Sequence, residues 1–236
     1  MREARVKNRV GVCLLALCLA ALGSCSQPSW EEAMTAGQQA VAQGRYNDAE
    51  RIFSAAVVKA EQFGSGDLRV AQALSGLAQA YALQNKHAEA EPVYLRALKI
   101  YQTVHGETHP DVAATLNNLG VLYRRYGQYA DAEPLLVRAV AIKEQVFGPD
   151  HLELALTLKN LAQLHASQGQ FDKAEPLMRR IVAIREKVQG VHPDVAQSLD
   201  EHAMLLRQMK REKEAEPLEI RSQGIRATTT RAKKES

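Results

Sequence analysis

Apolar residues recur along this chain at helical spacing, and the same stripes return at a fixed interval. Leu116, Leu119, Gly120 and Tyr123 fall at i, i+3, i+4 and i+7, the spacing of one helical face. A polar break follows at Tyr126-Gly127-Gln128, and then a second stripe runs through Leu135, Ala139, Ile142 and Val146. The pattern predicts a helical hairpin with a short turn. It recurs upstream at Leu74, Leu77, Ala78 and Tyr81, followed by Ala90, Tyr94 and Ala97. Downstream it returns at Leu158, Leu161, Ala162 and His165, followed by Ala174, Met178 and Ile181. Looser versions flank these, at Gly37, Gly44, Tyr46, Ala49, Phe53 and Ala56, and at Leu199, Ala203, Leu206 and Ala215. No continuous strand-like run breaks the pattern between Trp30 and Ile220.

The interval is set by the tripeptide Ala-Glu-Pro. Its prolines are Pro92, Pro134, Pro176 and Pro217, in steps of 42, 42 and 41 residues. A period of this size marks a repeat array, in which each unit buries its apolar face only against its neighbours. Gly120, Ala78, Ala162 and Ala203 share one repeat position; Ala90, Ala132, Ala174 and Ala215 share another. Such small residues let helix backbones approach while larger side chains fill the gaps. Thr108 is the expected N-cap of one first helix, with Asp111 three residues on, and Asp150 with Glu153 offers the same device in the next unit. Gly106, Gly148 and Gly190 are expected to stop the second helices. The prolines are expected in the first turn of the second helix, where a missing amide costs little.

These units resemble tetratricopeptide repeats. The match rests on Leu119-Gly120 and Tyr123 in the first helix, Ala132 and Ala139 in the second, and best of all on residues 67–190. The 42-residue period and the phrase from His109 to Leu119 are similar to the long-helix variety found in kinesin light chains. The final unit departs from the pattern, with Glu219 and Ser222 at apolar positions. The resemblance implies an all-α fold, a right-handed α-solenoid of about five helix-turn-helix units. It also implies a concave groove lined by the first helices. On this chain the groove positions fall on Gln79, Asn117, Asn118, Val121, Arg124, Lys159, Asn160, Gln163 and Arg207. Asparagine amides there could bond an extended peptide, and the cations could meet a carboxylate.

Charge adds a second layer. The formal net charge is +3, and Arg2, Glu3, Arg5, Lys7 and Arg9 supply all of it. The rest of the chain is neutral and only 5% aromatic, which argues against nucleic acid as a partner. After Arg9 comes an apolar run of thirteen residues, Val10 to Leu22. A membrane-spanning helix needs roughly 20, so the segment fits a secretory signal peptide over residues 1–24. Leu22-Gly23-Ser24-Cys25 resembles the lipobox of bacterial lipoproteins, which implies acylation of Cys25 and a short tether over residues 25–29. By the same resemblance, Ser26 rather than aspartate after the anchor implies the outer membrane, facing the periplasm. Cys13 and Cys18 would leave with the signal, so no intramolecular disulfide is expected. The basic tail over 221–236 has no helical stripe and is expected to be disordered.

Candidate chemistry is sparse. His109, His151 and His192 recur at the repeat period, so they are expected to sit one repeat apart and not to converge on a metal. Gly106 and Pro110 interrupt any helix between His105 and His109. No metalloprotease helix motif, nucleophile elbow or phosphate loop is present. The expected protein therefore has no catalytic, metal or cofactor site. The expected role is a lipid-anchored scaffold for a protein or peptide, with an envelope assembly as its setting. A self-associating structural array and an envelope hydrolase are the alternatives.

Overall fold

The computed structural model describes residues 29–235, so the signal segment and Cys25 lie outside the described residues. Ten helices follow one another: α1 (Trp30–Ala42), α2 (Tyr46–Glu61), α3 (Leu68–Leu83), α4 (His87–His105), α5 (Pro110–Arg125), α6 (Tyr129–Phe147), α7 (Leu152–Ser167), α8 (Phe171–Gln189), α9 (Pro193–Gln208) and α10 (Glu212–Glu235). Each packs chiefly against its chain neighbours, and odd-numbered helices also touch one another at α1–α3, α3–α5 and α5–α7. This is the solenoid of five helical hairpins that the periodicity predicts. No described helix is long and apolar enough to cross a membrane.

The turn within each hairpin repeats one backbone device. Gly44, Asn85, Gly127, Gly169 and Lys210 all have positive φ, from 58° to 75°. The next residue's amide reaches back to close the helix end, as in Gln128 N–H to the Tyr123 carbonyl at 2.9 Å. This is the left-handed helix stop that glycine adopts at least cost. Gly106, Gly148 and Gly190 also have positive φ and end α4, α6 and α8 as expected.

Three expectations about helix starts need correction. The N-caps of α5 and α7 are His109 and His151, one residue beyond Thr108 and Asp150. In α5, α7 and α9 the imidazole Nδ1 accepts the amide of Asp111, Glu153 or Asp194, each at 3.2 Å. The recurrent histidines thus do the work of Asp67, whose carboxylate caps α3. The motif prolines are also deeper than expected. Pro92 is the sixth residue of α4, and Pro134, Pro176 and Pro217 match it. Each removes the amide that would bond the carbonyl four residues earlier. Those carbonyls belong to the exposed residues Ala88, Ala130, Asp172 and Lys213, where water can replace the lost donor.

Packing explains the small positions. Phe53 is buried between Gly37 of α1 and Gly76 of α3, and a Cβ on either glycine would lie 2.5 Å from its ring. Gly120 plays the same part under Leu136, whose Cγ would be 2.6 Å from an added Cβ. At the far end, the chain does not fray at residue 221. Helix α10 runs to Glu235, and its inner face stays packed as far as Ile225. Leu218 and Ile225 pack on Val182, Val195 and Leu199. Ser222 is buried and donates to the Ala196 carbonyl at 3.1 Å. Arg221 pairs with Glu186 at 2.7 Å, and Arg226 with Asp200. The sequence hides this stripe because it mixes serine and arginine with few large apolar residues.

Candidate partner-binding groove

The odd-numbered helices carry a polar ladder along one face. Each rung joins one repeat position to the following position of the next unit. Asn160 of α7 donates to the Asn117 side-chain oxygen of α5 at 2.8 Å. Lys159 of α7 meets Glu201 of α9 at 2.5 Å, and Gln197 reaches the same carboxylate at 2.8 Å. Asn117 is only 8% exposed and also contacts Asn118 at 3.4 Å. Asn117, Asn160 and Lys159 therefore fasten neighbouring units together, and their hydrogen-bonding capacity is partly spent inside the chain.

Beside this ladder, between α7 and α9, lies a cavity of about 240 Å³. Ala162, Ala166, Ala174, Met178 and Leu205 form its apolar wall, and Met204, Lys159, Gln163, Glu201 and Gln208 rim it. The cavity exists because small residues occupy the positions nearest the groove. Ala166 stands one period after Arg124, and Ala174 one period after Ala132. A pocket with an apolar base and a few polar groups at its mouth suits one large apolar side chain.

Arg124 occupies the groove position of α5. Its Nε is buried with no hydrogen-bond partner, and it forms no ion pair among the described residues. Burial, with Arg125 beside it, pulls the guanidinium below its ordinary pKa. A buried donor without an acceptor costs free energy, so Arg124 carries a cost that the fold does not repay through a hydrogen bond at Nε. Arg207, at the same repeat position in α9, is committed elsewhere. Its Nε and Nη2 grip the two Glu219 oxygens, both at 2.7 Å, and Nη1 reaches Glu212 at 2.8 Å. The Glu219 hydrogen bonds, ahead of the charge attraction, push the Arg207 pKa up and hold Glu219 below the carboxylate range. The polar residue that broke the apolar pattern of the last unit thus has a partner, and the pair closes the end of the groove. Ala82 holds the Arg124 position in α3, and Gln79, one period before Val121 and two before Gln163, is exposed.

The tetratricopeptide repeat family model matches residues 32–103, 69–145 and 127–187. The chain belongs to the tetratricopeptide repeat family. Among solved structures, it is similar to BtubC (BKLC) from P. vanneervenii, with a TM-score of 0.76 and 23% identity over 85% of this chain and 80% of that one. A putative kinesin light chain repeat protein from Podosopora anserina gives 0.74 and 24%, over 85% of this chain and 96% of that one. A Rap protein complexed with Competence and Sporulation Factor gives 0.66 and 16%, over 83% of this chain and 54% of that one. No curated protein matches it in sequence. At these identities the structural likeness speaks to the fold.

Within this tetratricopeptide array, two clusters escape a reading of the sequence. The motif glutamates are not all surface charges. Glu91 accepts from the Tyr123 hydroxyl at 2.7 Å. Burial, reinforced by that carboxylate, pushes Tyr123 up to about 12, so the phenol remains a donor. Glu175 is 8% exposed and takes a hydrogen bond from Arg179 at 2.7 Å. Its neighbour His202, 3.2 Å away, stands where Leu77, Leu119 and Leu161 stand in other units. Burial pulls His202 below its ordinary value against the opposing pull of Glu175. Burial also raises Glu175, but Arg179 and His202 outweigh it and leave the carboxyl below its ordinary value.

The second cluster joins two histidines that the helix break at Gly106 places on different helices, while His109, His151 and His192 cap three separate helices. His105, His109 and Asp111 have ligating atoms all within 4.8 Å of one another. The helix break at Gly106 does not part the two imidazoles. It reverses the chain and stacks their rings 3.8 Å apart. His165, by contrast, is buried and pairs with Gln170 at 3.1 Å.

Proposed function

We propose that this protein is a lipid-anchored scaffold that holds an extended segment of a partner protein along its concave face. The observation that carries the reading is the pairing of the apolar cavity between α7 and α9 with the orphaned Arg124 on α5. Helix axes of adjacent units lie about 8–10 Å apart. From α5 to the middle of the α7–α9 cavity is about one and a half such spacings, which an extended peptide covers in about four residues. One apolar side chain in the cavity and one carboxylate on Arg124 is therefore a sterically sound arrangement. The Rap neighbour solved with Competence and Sporulation Factor is a precedent for an array of this fold in complex with another molecule.

Anchoring is the second part of the proposal. It rests on Leu22-Gly23-Ser24-Cys25 following a basic and then an apolar stretch. Several acyl chains, at roughly 0.8 kcal/mol per buried methylene, make such an anchor effectively permanent. With Ser26 beside it, the array would stand at the outer membrane and face the periplasm, within an envelope assembly.

Two experiments test these parts separately. Labelled palmitate should enter the native chain and not Cys25→Ala; equal incorporation refutes the anchor. A photocrosslinking residue at Gln163 or Met204 should capture the partner in intact cells, while one at Val137 on α6 should not. Equal capture from both faces, or capture unchanged by Arg124→Ala, refutes the groove.

A further inference from the structure

The corner between α4 and α5 differs from its counterparts in one telling respect. His105 ends α4, Gly106 turns the chain with φ 85°, and His109 and Asp111 open α5. His105 Nε2 lies 3.5 Å from Asp111 Oδ2, and His109 Nδ1 lies 3.4 Å from the same oxygen. Ligands held about 2.0–2.1 Å from a tetrahedral ion sit about 3.3 Å from one another. The observed separations are close to that spacing.

The other units show what the framework itself requires. The matching trios are Phe147, His151 and Glu153, then Gln189, His192 and Asp194. In each, the second-position histidine caps a helix. The first position needs only a packing group: the Phe147 ring stacks on His151 at 4.9 Å. Only at His105 does that group bring a second imidazole. Its ring satisfies the stack, and its nitrogen lone pair is surplus to it.

We propose that His105, His109 and Asp111 bind a first-row divalent cation such as Zn²⁺ or Co²⁺, pinning the end of one unit to the start of the next. Two imidazoles and a carboxylate suit these ions. The side chains are partly exposed, at 25%, 36% and 44%, which leaves the fourth corner to water. Binding requires two local adjustments. The stacked rings are within 16° of parallel, so one ion cannot lie in both planes, and the His105 ring must turn at the helix end. His109 Nδ1 must also trade the long Asp111 amide bond, 3.2 Å, for the ion. The loop that carries the ligands is held independently. Glu107 accepts from Gln102 at 2.8 Å and pairs with Arg138.

The test is titration of the full chain with Co²⁺, followed by visible absorption, and with Zn²⁺, followed by calorimetry. One ion per chain with the absorption of four-coordinate cobalt is expected. His105→Phe copies the Phe147–His151 stack, so it should fold, and because it deletes a ligand it should lose affinity by roughly 100-fold or more, at or beyond the top of the range for losing an outer-shell partner. His192→Asn, which removes an equivalent cap outside the cluster, should bind as the native chain does. Absence of saturable binding overturns the proposal. So does His105→Phe binding with unchanged affinity and stoichiometry.

Discussion

If Arg124 is kept for a ligand, replacing it should make the free protein more stable. The substitution is Arg124→Ala, because Ala82 and Ala166 already occupy the same position in neighbouring units. The native chain leaves the Arg124 Nε buried and unbonded, at a cost of about 1–3 kcal/mol. Against this stands the loss of packing by the aliphatic stem, about 1 kcal/mol for a partly buried run of methylenes. Alanine also gains slightly in helix propensity, by about 0.2 kcal/mol. The balance is a stabilisation of about 1 kcal/mol, or a rise in Tm of about 2–4 °C for a chain of this size. Thermal and urea unfolding followed by circular dichroism would measure it. In parallel, capture of the partner through a crosslinker at Gln163 should fall sharply. A variant destabilised by about 1 kcal/mol or more would show that Arg124 is held for its packing, and the argument for a carboxylate site would collapse.

Three further outcomes follow from the geometry. Gly120→Ala should destabilise by about 1–2 kcal/mol despite its better helix propensity, because the new Cβ meets Leu136 Cγ; adding Leu136→Met, which copies the native Ala162–Met178 pair, should recover most of the loss in a double-mutant cycle. Lys210→Gly should stabilise by about 1 kcal/mol in urea titrations, since Lys210 holds φ at 58° where three other units use glycine. The pH profile should carry the mark of His202. Its folded pKa lies below the unfolded value of 6.5, through burial first and despite Glu175. Its neutral form is therefore favoured by folding, and stability should fall as pH drops below 6.5. His202→Leu, the residue of the three preceding units, should flatten that part of the unfolding profile. The decline below pH 4.5 that comes from Glu175, held down against its burial by Arg179, should persist. A profile unchanged by His202→Leu would refute the assignment.

What could be read from the chain, and what could not, divides along a physical line. The helices and their pairing were legible because burial acts on one residue at a time. A leucine at Leu119 or an alanine at Ala132 is apolar wherever the chain goes, and a 42-residue period makes each unit a control for the others. Polar residues carry no such label, since their meaning depends on what stands opposite. Asn117 looked like a ligand contact, yet it is nearly buried against Asn160 of the next unit. Arg207 looked like a free cation until Glu219 appeared across from it. In the sequence Glu219 is only a polar residue at an apolar position. The same argument run backwards gives the most reliable guide to function. Once every rung and clamp is assigned, the groups that matter are those the fold does not use: the open wall around Ala166, the unbonded Nε of Arg124, and the second imidazole at His105. Arg124 and His105 differ from the residues at their own repeat positions in the neighbouring units, and the wall at Ala166 lies one period beyond Arg124. A framework that repeats itself thus exposes its exceptions, and those exceptions are where binding by this protein should be sought.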